Sequence, residues 1–205
     1  MTNNKKEPDK FKIKGKPKYI KIGDEYNFFE LFKKIQLNFK NCFLFESLGE
    51  ESNISRYHII GFDPKYLIFS ESRNELKIED IDKGEINTYE CENPYYKLRD
   101  IIPQNVISKK YAGGLVGFLS YDGFNYFENN LNIKKNPDFE SFKFGLYLDG
   151  LIYDQMTGEI FYYYYEDNKI EKIKSIINQN NQNSPRVSCK FLKNSMTRDE
   201  HKNTV

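Results

Sequence analysis

The run Tyr111-Ala-Gly-Gly-Leu-Val-Gly-Phe-Leu-Ser-Tyr-Asp122 constrains this chain more than any other segment. It is an apolar stretch of strand length, entered through paired glycines and broken by a third, Gly117. Glycine inside a strand sacrifices packing and backbone entropy, so it marks a place where another backbone or a bulky ring must come close. The run therefore predicts a strand held tightly against a neighbour. It is not a phosphate-binding loop, because no Gly-Lys-Ser/Thr follows and the Gly-x-Gly-x-x-Gly spacing is missing. Tyr121-Asp122 ends the strand, where the carboxylate is placed to bind a hydroxyl or to cap a turn at Phe124.

The remaining pattern supplies partners for such a strand. Tyr19–Ile22 reads as a short strand. Phe28, Leu31, Phe32, Ile35 and Phe39 fall on one helical face, with Asn27 and Glu30 at capping-box spacing. Short apolar runs then recur between turn residues at Cys42–Ser47, Arg56–Gly61, Lys65–Ser70, Glu75–Glu79 and Ile86–Tyr89, as in an antiparallel meander. Asn93-Pro94 opens a helix, since asparagine caps well and proline is tolerated at the first helical position. Phe124–Phe127 suggests a helical turn. Phe144–Asp154 and Glu159–Tyr165 suggest a hairpin around Gln155–Gly158, and Asn168–Ile177 a helix. The fold class is α/β of the α+β type: a mostly antiparallel sheet flanked by a few helices.

Composition narrows the function classes. Lys plus Arg number 31 against 30 Asp plus Glu, so the basic excess of a nucleic-acid binder is missing. No run of 18 apolar residues predicts a membrane span, and the Lys-rich start lacks the apolar core of a secretory signal. Cys42, Cys91 and Cys189 are odd in number and not spaced as metal ligands, which suits a reducing, cytoplasmic setting. A single alanine, Ala112, beside 17 Phe and 16 Tyr means that aromatic rings must fill core space usually given to smaller residues. The run Phe161–Tyr165 is expected to turn alternate rings to the core and the others to solvent or a neighbouring domain.

Five segments, in order, carry a resemblance: Leu44-Phe-Glu-Ser47, Ser55-Arg-Tyr-His-Ile-Ile-Gly61, Gly113–Asp122, Tyr126-Phe-Glu128 and Thr197-Arg-Asp-Glu200. Together the chain resembles the large subunit (component I) of anthranilate synthase, within the chorismate-utilising enzymes, and would form half of that architecture. The large subunit of aminodeoxychorismate synthase shares most of the pattern and is the nearer alternative. A stand-alone amino-acid-binding or interaction module is the alternative from another class.

The resemblance implies a parent enzyme that converts chorismate and an ammonia donor to anthranilate and pyruvate, for tryptophan synthesis. It implies Mg²⁺ in a catalytic domain outside residues 1–205, with no cofactor and no catalytic residue within them. It implies a glutamine amidotransferase subunit as partner, and L-tryptophan as feedback effector. The effector residues so implied are Leu44, Glu46, Ser47 and Arg56. The chemistry is apt, since an amino acid's ammonium suits a carboxylate or carbonyls and its carboxylate suits hydroxyl or N–H donors. Read without the resemblance, Glu46 and Ser47 only end a strand. Arg56 pairs with Glu46, lines the pocket, or is an exposed cation at a sheet edge. His58 reads as a packed or exposed strand residue, and Asn125 stands where many relatives have arginine.

The expected organisation is a disordered tail over 1–18, a domain over 19–177, a polar linker over 178–194 and, over 195–205, the start of a catalytic domain. Thr197 and Glu200 mark a helix start with little body before Val205, which suggests a truncated chain.

Overall fold

The structure, a computed structural model, describes the chain apart from residues 1–6, 24–25, 48–54, 104–110, 129, 131, 180–189, 191–195 and 205. The predicted loop 49–53, Cys189 and most of the 178–194 linker lie outside the described residues.

Among the described residues, ten strands form two antiparallel sheets. In chain order they are β1 (Lys18–Gly23), β2 (Cys42–Phe45), β3 (Tyr57–Phe62), β4 (Tyr66–Ser70), β5 (Glu75–Asp80), β6 (Glu85–Glu90), β7 (Gly114–Leu119), β8 (Phe142–Tyr147), β9 (Asp149–Asp154) and β10 (Glu159–Tyr164). The helices are α1 (Phe28–Asn38), α2 (Pro94–Ile101), α3 (Ile170–Ile177) and α4 (Arg198–Thr204), and Tyr121–Tyr126 forms a 3₁₀ turn. The first sheet runs β1-β10-β9-β3-β2 and the second β6-β5-β4-β8-β7. The expected α+β class holds, with the strands shared between two sheets.

The division corrects two finer expectations. The predicted meander splits after β3, where Asp63 takes a left-handed φ of 53° and β4 leaves for the other sheet. The predicted strand Phe144–Asp154 is two strands, with Leu148 alone between β8 and β9. Since β3 pairs with β9 and β4 with β8, both crossings lie side by side and form a two-stranded corner.

Each sheet has its own core. α1 and α3 cover the first sheet, burying Leu31, Ile35, Ile173 and Ile176 against Ile60, Leu151 and Tyr162. At roughly 1.5–3 kcal/mol per fully buried apolar side chain, this layer is a main source of stability. Asn27 caps α1 by accepting from Glu30 N–H at 3.0 Å. α2 covers the second sheet, with Leu98 and Ile101 set against Ile68, Leu76 and Phe142. Its cap is Asn93, which accepts from the N–H groups of Tyr95 and Tyr96, both at 3.1 Å.

The expected N-terminal tail is attached from within. Phe11 is buried in the second core, stacks on Tyr66 at 4.7 Å and donates its N–H to Ile101 O. The aromatic run also departs from expectation, because Tyr162 to Tyr165 are all buried. Tyr162 and Tyr164 join the first core, Tyr165 joins the second, and Tyr163 sits against Gly113 and Gly150.

Candidate functional site

The four sequence-predicted site residues gather at one end of the first sheet. β2 is an edge strand whose Leu44 faces Ile60 of β3 and packs against the α1 side of the core. Two-residue alternation sends Phe43 and Phe45 to the opposite face. There Phe43 lies across Gly61 and meets Tyr147 edge-on at 4.9 Å, while Phe45 is exposed. Glu46 and Ser47 continue from the strand end.

Glu46 Oε1 lies 3.7 Å from His58 Nδ1. The other ring nitrogen of His58 is in contact with the Gln155 side-chain amide. The Gln155 amide also reaches Ser47 O at 3.4 Å, and the Gln155 backbone N–H donates to Arg56 O at 2.9 Å. The turn after β9 is thereby tied to the segment that follows β2 and to the residue that precedes β3. His58 rests between Tyr153 and Phe28, at ring distances of 5.5 and 6.1 Å.

Arg56 does not pair with Glu46. It makes a two-point ion pair with Asp154, Nε to Oδ1 at 2.9 Å and Nη2 to Oδ2 at 2.6 Å. The Asp154 hydrogen bonds, foremost among the causes, hold the guanidinium pKa above its ordinary value. The cation also stacks over Tyr57, 5.0 Å from its ring centre. The expectation of an exposed cation at an edge is corrected by the same contact: β3 lies between β9 and β2, and Asp154 of β9 takes the charge. Glu46 keeps His58 as its neighbour, near the Ser47 carbonyl and the Gln155 amide. A carboxylate, a carbonyl and an amide are groups an amino-acid ligand calls for.

Sequence reasoning did not find Gln155 or Asp154. Their only sequence signal was a place in or beside a predicted hairpin turn; that β9 pairs with β3 is information held in the tertiary fold.

The glycine run ends in a second polar cluster. Asp122 is buried and accepts from Ser120 Oγ and, at 2.7 Å, from Ser141 Oγ. Ser141 lies with it along a cleft of about 370 Å³ that also holds Arg73, Lys135 and Asn125. Both carboxylate oxygens are engaged by hydroxyls, so this group fixes the turn, as the hydroxyl-binding expectation had it. Asn125 holds Ile133 through both its backbone groups, at 2.9 and 3.0 Å. Among the described residues no group of three His, Cys, Asp or Glu is placed to hold a metal ion, and no helix is long and apolar enough to cross a membrane.

No protein-family model matches the chain. Curated proteins do. Component 1 of anthranilate synthase from Leptospira biflexa is 40% identical over 201 residues, which span 96% of this chain and 42% of that protein. The chain is a homologue of anthranilate synthase component 1. The Methanothermobacter thermautotrophicus component 1 agrees, at 34% identity over 152 residues, 74% of this chain and 32% of the relative. The chain thus spans less than half the length of these component 1 relatives. Among solved structures, component I from Streptococcus pneumoniae TIGR4 aligns with a TM-score of 0.44 and 21% identity, over 63% of this chain and 30% of that one.

Proposed function

We propose that these residues are the scaffold and effector-binding part of an anthranilate synthase component 1, with turnover carried out by protein outside them. The observation that carries this reading is the 40% identity to the Leptospira component 1 along nearly the whole chain, in which Glu46, Ser47, His58 and Gln155 meet at one sheet end. In this reading the whole enzyme takes chorismate and an ammonia donor to anthranilate and pyruvate in the cytoplasm. A catalytic domain holds Mg²⁺ and a glutamine amidotransferase subunit supplies ammonia.

L-Tryptophan is the proposed effector. Glu46 and the Ser47 carbonyl receive its ammonium, and the Ser47 hydroxyl and the Gln155 amide meet its carboxylate. Arg56 acts indirectly. Locked to Asp154, it holds the start of β3 and therefore His58 in place. Leu44 anchors β2 to the core.

Titration calorimetry with L-tryptophan tests the proposal. Wild-type protein is expected to give a saturable heat, weakened about tenfold or more by Glu46→Gln and by Ser47→Ala, since each removes a polar partner of a charged ligand group. Unchanged affinity in both variants removes these residues from the site. A silent wild type counts against the effector role, and anthranilate formation from chorismate by residues 1–205 alone overturns the division of labour.

A further inference from the structure

Three segments at one end of the second sheet converge on the cleft of about 370 Å³ beside Asp122. The β4–β5 turn brings Ser72 and Arg73, the 3₁₀ turn brings Asn125, and the stretch that leads into β8 brings Lys134 and Lys135. The walls are pinned to one another. Asn125 grips Ile133 at two points, Lys135 Nζ donates to Glu71 O at 2.5 Å, and Arg73 Nη2 donates to Asn132 Oδ1 at 3.4 Å. The floor is fixed as well, since Tyr126 Oη meets Ser70 Oγ and Ser72 O, both at 3.0 Å. A site built in this way loses little to ordering when a ligand arrives.

The charges of the cleft are unevenly satisfied. Its carboxylates are engaged: Glu71 pairs with Lys77, and Asp122 accepts from the Ser120 and Ser141 hydroxyls. Glu140, which feels Lys135 at longer range, pairs with Lys143 at 2.6 Å. Two of the cations have no carboxylate at contact distance. Lys135 rests on a backbone carbonyl, and Lys134 has no hydrogen-bond or ion-pair partner among the described residues. With Arg73 beside them, three positive side chains line one cleft whose negative groups already have partners. An ammonium on a neutral oxygen keeps its pull on an anion, and a guanidinium adds a planar fork of donors.

We propose that this cleft is a ligand site of its own, on the other sheet from Glu46, for a small molecule that carries a compact oxyanion of two or more negative charges. Lys134 and Lys135 supply the charge, Arg73 supplies the fork, and the Ser72 hydroxyl adds a neutral donor. Size and charge choose the class. About 370 Å³ lies at the lower end of small-molecule sites and holds one ligand. A nucleic acid asks for a basic face, whereas this chain balances 31 Lys plus Arg against 30 Asp plus Glu and gathers these three cations at a single cleft. Phosphate-bearing and dicarboxylate molecules share the required chemistry. The inference does not depend on which effector binds at Glu46.

Titration of the chain with inorganic phosphate at fixed ionic strength, followed by amide NMR, tests the proposal. Saturable shifts are expected at the amides of Ser72, Arg73, Ile133, Lys134 and Lys135. Lys134→Gln and Lys135→Gln should each weaken binding by about three- to tenfold. Lys172→Gln, on α3 over the Phe39 ring, should leave it unchanged. Malonate titrated in the same way tells the two sources apart: saturation by either anion at this cleft upholds the proposal, and the tighter of the two names the group. Far-UV circular dichroism checks that the variants fold, Lys134→Gln disturbs no wall contact, and the shift map needs no variant. Shifts that climb without saturating, shifts centred elsewhere, or equal losses in all three variants each overturn the proposal. L-Tryptophan, read at the amides of Glu46 and Ser47, reports on the effector reading alone, so either site can fail while the other stands.

Discussion

Lys169 Nζ donates to Asp149 Oδ2 at 3.1 Å, and the same ammonium reaches Asp63 Oδ2 at 2.9 Å. Asp63 and Asp149 stand at the two places where the chain leaves one sheet for the other. One lysine before α3 therefore pins both crossings, with Tyr162 Oη donating to Asp149 Oδ1 at 2.5 Å.

This corner makes the stability depend on pH in a definite direction. Burial raises the Asp149 pKa from its ordinary value, against the opposing pull of Lys169 and Tyr162. The folded state then holds a proton that the unfolded state has released. Its stabilising contribution is complete below the unfolded carboxylate pKa and is lost as pH rises through the higher folded value. Wild-type protein should lose stability relative to Asp149→Asn over that acid window, read as the difference between urea midpoints. A difference that grows in wild type's favour across the window contradicts the assignment. Lys169 works at the other end of the scale. Burial lowers its pKa, yet Asp149 and Asp63 together leave it above the ordinary lysine value. That contribution is full below the unfolded lysine pKa and fades as pH climbs through the folded one.

Arg56 and Asp154 should behave as one unit. Removing either breaks the two-point ion pair, so Arg56→Met and Asp154→Asn should each lower the melting temperature, and the double variant should lose less than their sum. Additive losses would show that the two side chains act independently. Arg56→Lys should rescue part of the loss, because an ammonium cannot reproduce the two-point geometry.

Gly117 is irreplaceable for a steric reason. A Cβ built there lies 1.9 Å from Lys143 O and 2.7 Å from Phe144 Cα, both backbone atoms of β8. Gly117→Ala must push β7 away from its only strand partner among the described residues, at a cost of about 1–3 kcal/mol or more. Equilibrium unfolding in urea measures it, and a neutral result would refute the close approach.

On α1 the buried and exposed faces should separate cleanly. Ile35 is fully buried in the first core, and Ile35→Ala should cost about 2–5 kcal/mol. Leu37 is 65% exposed two positions on, and Leu37→Ala should stay within about 0.5 kcal/mol. The same urea titration compares the pair.

Local features were legible in the sequence because local physics decides them. The α1 stripe, the Asn27 and Asn93 caps and the tight approach at Gly117 all follow from residue type and spacing. The Thr197–Glu200 capping box forms as its spacing indicates, with Glu200 N–H donating to Thr197 Oγ1 at 3.2 Å and Thr197 N–H to Glu200 Oε2 at 2.6 Å. Choices among distant partners were not legible. Nothing near Leu148 announces that the strand changes sheets, and nothing near Arg56 names Asp154, ninety-eight residues away. Tyr163 and Tyr165 could have faced solvent as alternation suggests; the fold instead lays other residues over that side of β10. At the candidate site the strand end was readable at Glu46 and Ser47, whereas Gln155 required β9 to be placed beside β3.

The doubled crossing at the sheet corner limits how the molecule can deform. Two antiparallel lengths of chain, hydrogen-bonded to each other on both sides of the bend, behave like a folded ribbon: sliding one layer past the other would tear both ladders, whereas opening or closing the angle strains few bonds. The strand that ends beside Gln155 begins one residue after the strand on which β7 is laid. The margin at Gln155 and the margin at β7 are therefore joined through Leu148 by one continuous length of backbone.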